Sequence, residues 1–223
     1  MSMVRRALLV CGIASSLLYV VMNVVGAMRF EGYSSISQAV SELSAIGAPS
    51  RPLWLALGVA YDVLVIAFGW GIWTTAGRNR ALRVVGGLLV VFGASGFAAP
   101  FASMHSRGEE FTFTDTMHIA VTMVNVLIML LTIGFGAASF GRRFRIYSIG
   151  TLLMHLVFGI WAGLDGPRLA ANLPTPWIGL TERINIGLFL LWVVVLAVVL
   201  LRAQAAAVPT RRREPTMIPQ GVA

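Results

Sequence analysis

"MSMVRRALLVCGIASSLLYVVMNVVGAM", Met1 to Met28, decides how the rest of the chain is read. Two arginines precede an apolar run, a layout shared by a cleaved secretion signal and a first membrane helix. The run is about 22 residues long, beyond the roughly 7–15 of a signal core, and no small-residue cleavage pattern follows it. The expectation is a retained membrane helix.

The remainder of the chain agrees. Of 223 residues, 57% are hydrophobic and 12% charged, with a mean hydropathy of +0.82. Soluble domains hold about 45–50% apolar and about 25% charged residues. A bilayer core of about 30 Å takes roughly 20 helical residues, and six segments supply them: about 7–28, 52–76, 82–102, 117–140, 146–164 and 180–201. The expected fold is all-α, a polytopic integral membrane six-helix bundle. It occupies residues 1–201, and 202–223 form a flexible cytoplasmic tail.

Charge sets the expected orientation. All 17 basic residues are arginines, and 12 of them fall at the termini and in the connections after spans two and four. Arg29, Arg51, Arg107, Arg168 and Arg183 fall on the other side. Positive charge stays inside, so both termini are expected to be cytoplasmic in a multi-pass plasma-membrane protein. The arginines are scattered between apolar segments rather than gathered on one face, so the net charge of +8 does not imply a nucleic-acid partner. Cys11 is the single cysteine, which excludes an internal disulfide and a cysteine-built metal site. Nothing in the pattern fixes an oligomeric state.

The connections expected on the outer side are long and hold most of the acids. In "YSSISQAVSELSAIG", residues 33–47, Ile36, Ala39, Val40, Leu43 and Ile46 recur at helical spacing, and Ser35 with Gln38 resembles a capping box. The expectation is a short interfacial helix folded over the mouth of the bundle, with Glu42 beside its apolar stripe. Gly86, Gly93 and Gly96 give span three a face for close helix contact.

Ionisable groups in hydrocarbon cost several kcal/mol unless paired or wetted. Asp62 and His155 lie near mid-membrane and are expected to face the bundle interior, either paired or beside a polar cavity. His105, Asp115 and His118 gather around "HSRGEEFTFTDTMH", residues 105–118, and Glu182 opens span six from the same side. Two imidazoles with carboxylates suit a divalent ion such as zinc, with His105, Asp115 and His118 as its ligands. They equally suit a metal-free acid–base set, and in an enzyme Glu42 or Glu182 would be the general acid or base, with Asp62 orienting His155. No H-E-x-x-H, C-x-x-C or G-x-S-x-G pattern is present.

With "SISQAVSELSAIGAP" after span one and the hairpin at 105–118, the chain resembles the prokaryotic multi-span membrane family called domain of unknown function 998, up to about residue 201. The resemblance implies fold and membrane context but no reaction. A looser likeness runs to the alkaline-ceramidase and progestin-receptor-like membrane hydrolases, which gather Ser, Asp and three His around zinc. That likeness would assign Ser41 or Ser103, Asp115, His105, His118 and His155 here, with Glu182 replacing the histidine that the last span lacks.

Two functional readings follow. One is an intramembrane enzyme, such as a metal-dependent hydrolase, acting on a lipid or other apolar substrate from the outer side. The alternative is a protein that binds, senses or transports a lipid or small molecule without catalysis. Apolar inner halves such as "LLWVVVLAVVL", residues 190–200, argue against a continuous pore.

Overall fold

A computed structural model describes residues 3–206. Seven α-helices follow in order: α1 Met3–Arg29, α2 Arg51–Thr75, α3 Arg80–Gly96, α4 Phe113–Ala137, α5 Arg142–Leu164, the short α6 Gly166–Ala170, and α7 Ile178–Ala206. Each long helix packs on the next in the chain, and α7 closes on α1, so six helices form a ring. Five runs, with α5 and α6 counted as one, are long and apolar enough to cross a membrane. The tail expected from residue 202 continues α7 as far as Ala206 and, from 207 onward, lies outside the described residues.

The third span departs from expectation. Helix α3 has 17 residues and stops at Gly96, and successive turns carry the chain to Ala102. Pro100 is the cause: it has no N–H to donate, and its ring clashes with the carbonyl of Gly96 four residues back.

The outward face of the ring is apolar. Val20, Val63, Trp70, Leu127, Leu153 and Leu156 are all exposed there. Such a belt suits lipid, where helices already satisfy their own backbone groups. Inside, Phe68, Phe189, Trp192 and Leu196 fill the ring. The α2–α3 seam is the tightest contact. A Cβ on Gly86 would stand 2.7 Å from the Gly69 carbonyl and 2.7 Å from Trp73 N. Only glycine permits that approach.

The two ends of the bundle differ. At one, short turns follow α2 and α4, and Asn79 Nδ2 donates to Ser139 O at 2.9 Å to tie them together. At the other, the three long connections 30–50, 97–112 and 165–177 interlock. Ile46 N donates to Met104 O at 2.8 Å, Ile46 pairs in parallel with His105, and Gly108 N donates to Asn172 Oδ1 at 2.8 Å.

The first long connection is not the α-helix its apolar stripe suggested. It forms a 3₁₀ turn, Val40–Ser44, seated on α1, α2 and α7. Polar side chains take the backbone groups a helix would need. Gln38 Oε1 accepts from Ser34 N, Ser34 Oγ accepts from Ser37 N, and Tyr33 OH donates to Ala39 O at 2.7 Å. Ala39, Val40 and Leu43 are buried as the stripe required, while Ile36 and Ile46 stay exposed.

Candidate functional site

Glu42 sits under this cap, 3% exposed. Arg107 reaches it from the connection after α3: Nε donates to Oε2 and Nη2 to Oε1, each at 2.8 Å. Ala39 N donates to Oε1 at 2.8 Å and Gln38 Nε2 to Oε2 at 3.0 Å. Both carboxylate oxygens are thus occupied twice. Arg107 Nη2 also donates to Ser37 O and Thr175 Oγ1, drawing the third connection into the same knot. Glu42, expected as a general acid or base, holds three segments together here.

Arg183 performs a parallel task on the α1 side. Nη1 donates to Ser35 O and Gln38 O, and Nη2 to Tyr33 OH at 2.7 Å. Burial pushes the Tyr33 phenol above its ordinary value, and the guanidinium beside it pulls the other way. Beside Arg183, a cavity of about 340 Å³ opens between α1 and α7, lined by Tyr19, Asn23, Val24 and Leu190 among others.

A larger cavity, about 400 Å³, lies on the opposite side of the cap between α4, the α5–α6 corner and the start of α7. Four of the expected site residues line it: His105, Asp115, His118 and Glu182. Asp115, in the first turn of α4, accepts His105 N at Oδ1. Its Oδ2 accepts Thr112 N and Thr112 Oγ1, and His105 Nδ1 at 2.8 Å. This is the N-terminal capping box of α4, extended to hold an imidazole. His118, one turn deeper, has Nδ1 3.0 Å from Ala102 O. Glu182 Oε2 accepts Val40 N at 2.6 Å. Met104, Phe111, Ile119, Met123, Leu169 and Ile178 give the wall an apolar part, and Ser41, Arg107, Glu109, Glu110, Thr122 and Asn172 line it as well.

Asp62 and His155 lie elsewhere. The Asp62 carboxylate rests against Gly96 at the end of α3, where a Cβ would collide with it. His155, on α5, has Nδ1 3.1 Å from Asn185 O of α7. No hydrogen bond joins the two among the described residues, and neither lines the larger cavity. His155 Nε2 and Asn185 Oδ1 are both buried without a partner there.

The expected zinc ligands share a cavity without converging. Among the described residues, no group of three or more His, Cys, Asp or Glu stands where one ion would bind them. Of the serines considered as nucleophiles, Ser103 is turned away to donate to Ala99 O, while Ser41 lines the cavity.

Arg107 is the residue the sequence reading undervalued, since it entered only as one charge in an orientation count. Its signal was its position, as the one arginine of an acidic connection facing the loop that carries Glu42. The apolar wall was also missed, because single apolar residues at helix ends carry no pattern.

The family model described as Protein of unknown function (DUF998) matches residues 13–199, and the chain belongs to that family. No curated protein matches the chain, and no solved structure does either. The likeness to the alkaline ceramidases thus finds no counterpart in these comparisons.

Proposed function

We propose that the chain binds a lipid or other apolar small molecule in the 400 Å³ cavity beside the Glu42 cap, at the outer side of a plasma membrane. The carrying observation is the cavity's make-up. Its volume is in the range of small-molecule sites, and apolar surface predominates in its wall, with polar and charged side chains among it. The outward placement draws on the 12 arginines assigned to the opposite end. A ligand would enter from the bilayer between α4 and α5, past Met123 and Gly163, with its polar end under the cap.

This reading needs no catalysis. A second, metal-free chemical reading rests on one observation, the imidazole of His105 held by Asp115 at 2.8 Å beside Glu182 and His118 in one cavity. Such a pair orients a base. Turnover of a retained ligand by purified protein, lost in His105→Ala, would separate the two readings.

Filling the cavity tests the binding proposal. No atom lies within 4 Å of where a Cβ on Gly163 would stand, so Gly163→Phe adds a ring to the cavity wall without a backbone clash. The full chain, purified in mild detergent, is expected to keep a lipid or apolar molecule in native mass spectrometry. Gly163→Phe is expected to release it while the protein stays folded. A wild-type chain that retains nothing, and whose melting temperature no added lipid raises, would sink the proposal.

A further inference from the structure

The geometry points to a primary ammonium as the polar group this cavity takes, carried by an amphiphile with an apolar body; the inference rests on the binding function proposed above. It follows from what the cavity's polar groups can and cannot donate.

The histidine tautomers are fixed by their partners. Asp115 Oδ2 already accepts from Thr112 N and Thr112 Oγ1, and a carboxylate has no proton to give, so His105 Nδ1 carries the hydrogen of their 2.8 Å contact. A backbone carbonyl likewise only accepts, so His118 Nδ1 carries the hydrogen of its 3.0 Å contact with Ala102 O. Each ring, when neutral, has Nε2 left as an acceptor. The third group, Glu182, accepts Val40 N at one oxygen, and its other oxygen takes no hydrogen bond among the described residues. These three groups thus offer acceptors to the cavity, which Ser41, Arg107, Thr122 and Asn172 also line.

Charge favours the same ligand. The Arg107 cation is engaged on both oxygens of Glu42, and Arg183 turns toward Tyr33 and the opposite cavity. Arg107 lines this cavity too, its charge met by Glu42, and Glu182, Glu109 and Glu110 line it beside the Asp115–His105 pair. An ammonium brings N–H donors and one positive charge to a cavity lined by imidazole and carboxylate acceptors and by more carboxylates than guanidinium groups. An anionic headgroup would meet Glu182. A trimethylated ammonium would satisfy the charge but leave every acceptor unpaired.

Two sources carry this chemistry, a phosphatidylethanolamine headgroup and a free long-chain amine, and the test separates them. The full chain is placed in nanodiscs of equal parts phosphatidylethanolamine, phosphatidylcholine and phosphatidylglycerol, and the retained lipid is counted by native mass spectrometry. In parallel, dodecylamine and dodecanol are added to protein in detergent and the melting temperature is read. Preference for phosphatidylethanolamine over phosphatidylcholine on the order of tenfold, equivalent to about 1.4 kcal/mol, is expected if the lipid is the source. A rise with dodecylamine and not with dodecanol, without that lipid preference, would assign a free amine. In either case Glu182→Gln, which keeps an oxygen for Val40 N, and His118→Phe should each reduce the preference at least threefold. Equal retention of the three lipids together with equal effects of amine and alcohol would overturn the ammonium and leave the binding cavity standing. No retention at all, with Gly163→Phe indistinguishable from the parent, would remove both.

Discussion

Arg107 and Glu42, 65 positions apart, meet in a two-pronged ion pair with both contacts at 2.8 Å. The carboxylate is 3% exposed and the guanidinium 27%, so the pair closes the rim of the bundle and is not a free surface contact. Removing one partner strands a buried charge, which costs more than the pair contributes. Arg107→Met is therefore expected to lower stability by about 3 kcal/mol, measured as thermal unfolding in detergent. The double variant Arg107→Met, Glu42→Leu should recover more than half of that loss. If the single and double variants unfold alike, the charge pair is not what the cap depends on.

Gly96 and Asp62 form the second dependency. The carboxylate occupies the space a Cβ would fill. Gly96→Ala should therefore cost about 1–3 kcal/mol, the usual range for overpacking. Asp62→Ala in the same chain should remove most of the penalty. The signature is non-additivity in a double-mutant cycle; a purely additive result would mean that the two side chains do not share that space.

His155 yields a less intuitive expectation. Replacing it with Phe loses one hydrogen bond to Asn185 O, worth about 1 kcal/mol, and removes a buried acceptor with no partner, which costs about 1–3 kcal/mol to keep. His155→Phe is thus expected to be neutral or stabilising by about 1 kcal/mol. A marked loss of stability would show that Nε2 has a partner the described residues do not supply.

Asp115→Asn probes the other anchor. The carboxylate takes four donors, two of them backbone N–H groups, while an amide offers a single oxygen and turns an NH₂ toward the rest. A loss of about 2 kcal/mol is expected. The His105 ring should lose its fixed tautomer, visible as a change in imidazole nitrogen shifts. Unchanged shifts would mean that Asp115 does not orient the ring.

The spans were legible because hydropathy is a summed property: no single residue in α7 or α1 had to be interpreted correctly. Pro100 was not. One residue shortened α3, and a window average smooths one residue away. The loop at 33–47 failed for a related reason. Its apolar stripe identified Ala39, Val40 and Leu43 as buried, yet Tyr33, Ser34 and Gln38 had already claimed the backbone groups that an α-helix uses. At the candidate site, residue chemistry placed His105, Asp115, His118 and Glu182 in one neighbourhood. Partnership was invisible, since a carboxylate with one oxygen engaged and one with both engaged look identical in a sequence. Glu42 and Glu182 are that contrast.

The contact between Val40 N and Glu182 Oε2, 2.6 Å long and spanning 142 residues, bears on how the protein is made. A chain inserted from its N-terminus exposes the first connection long before Arg107 is synthesised, and longer still before α7 arrives. Until then Glu42 has only its own loop for company. The cap therefore reports completion: it can shut only on a chain whose last helix has joined the ring. A nascent chain truncated before residue 178 would leave Ala39, Val40, Glu42 and Leu43 open to proteases, whereas the finished protein buries them. Sensitivity to proteolysis at residues 34–47 is in this sense a clock for assembly.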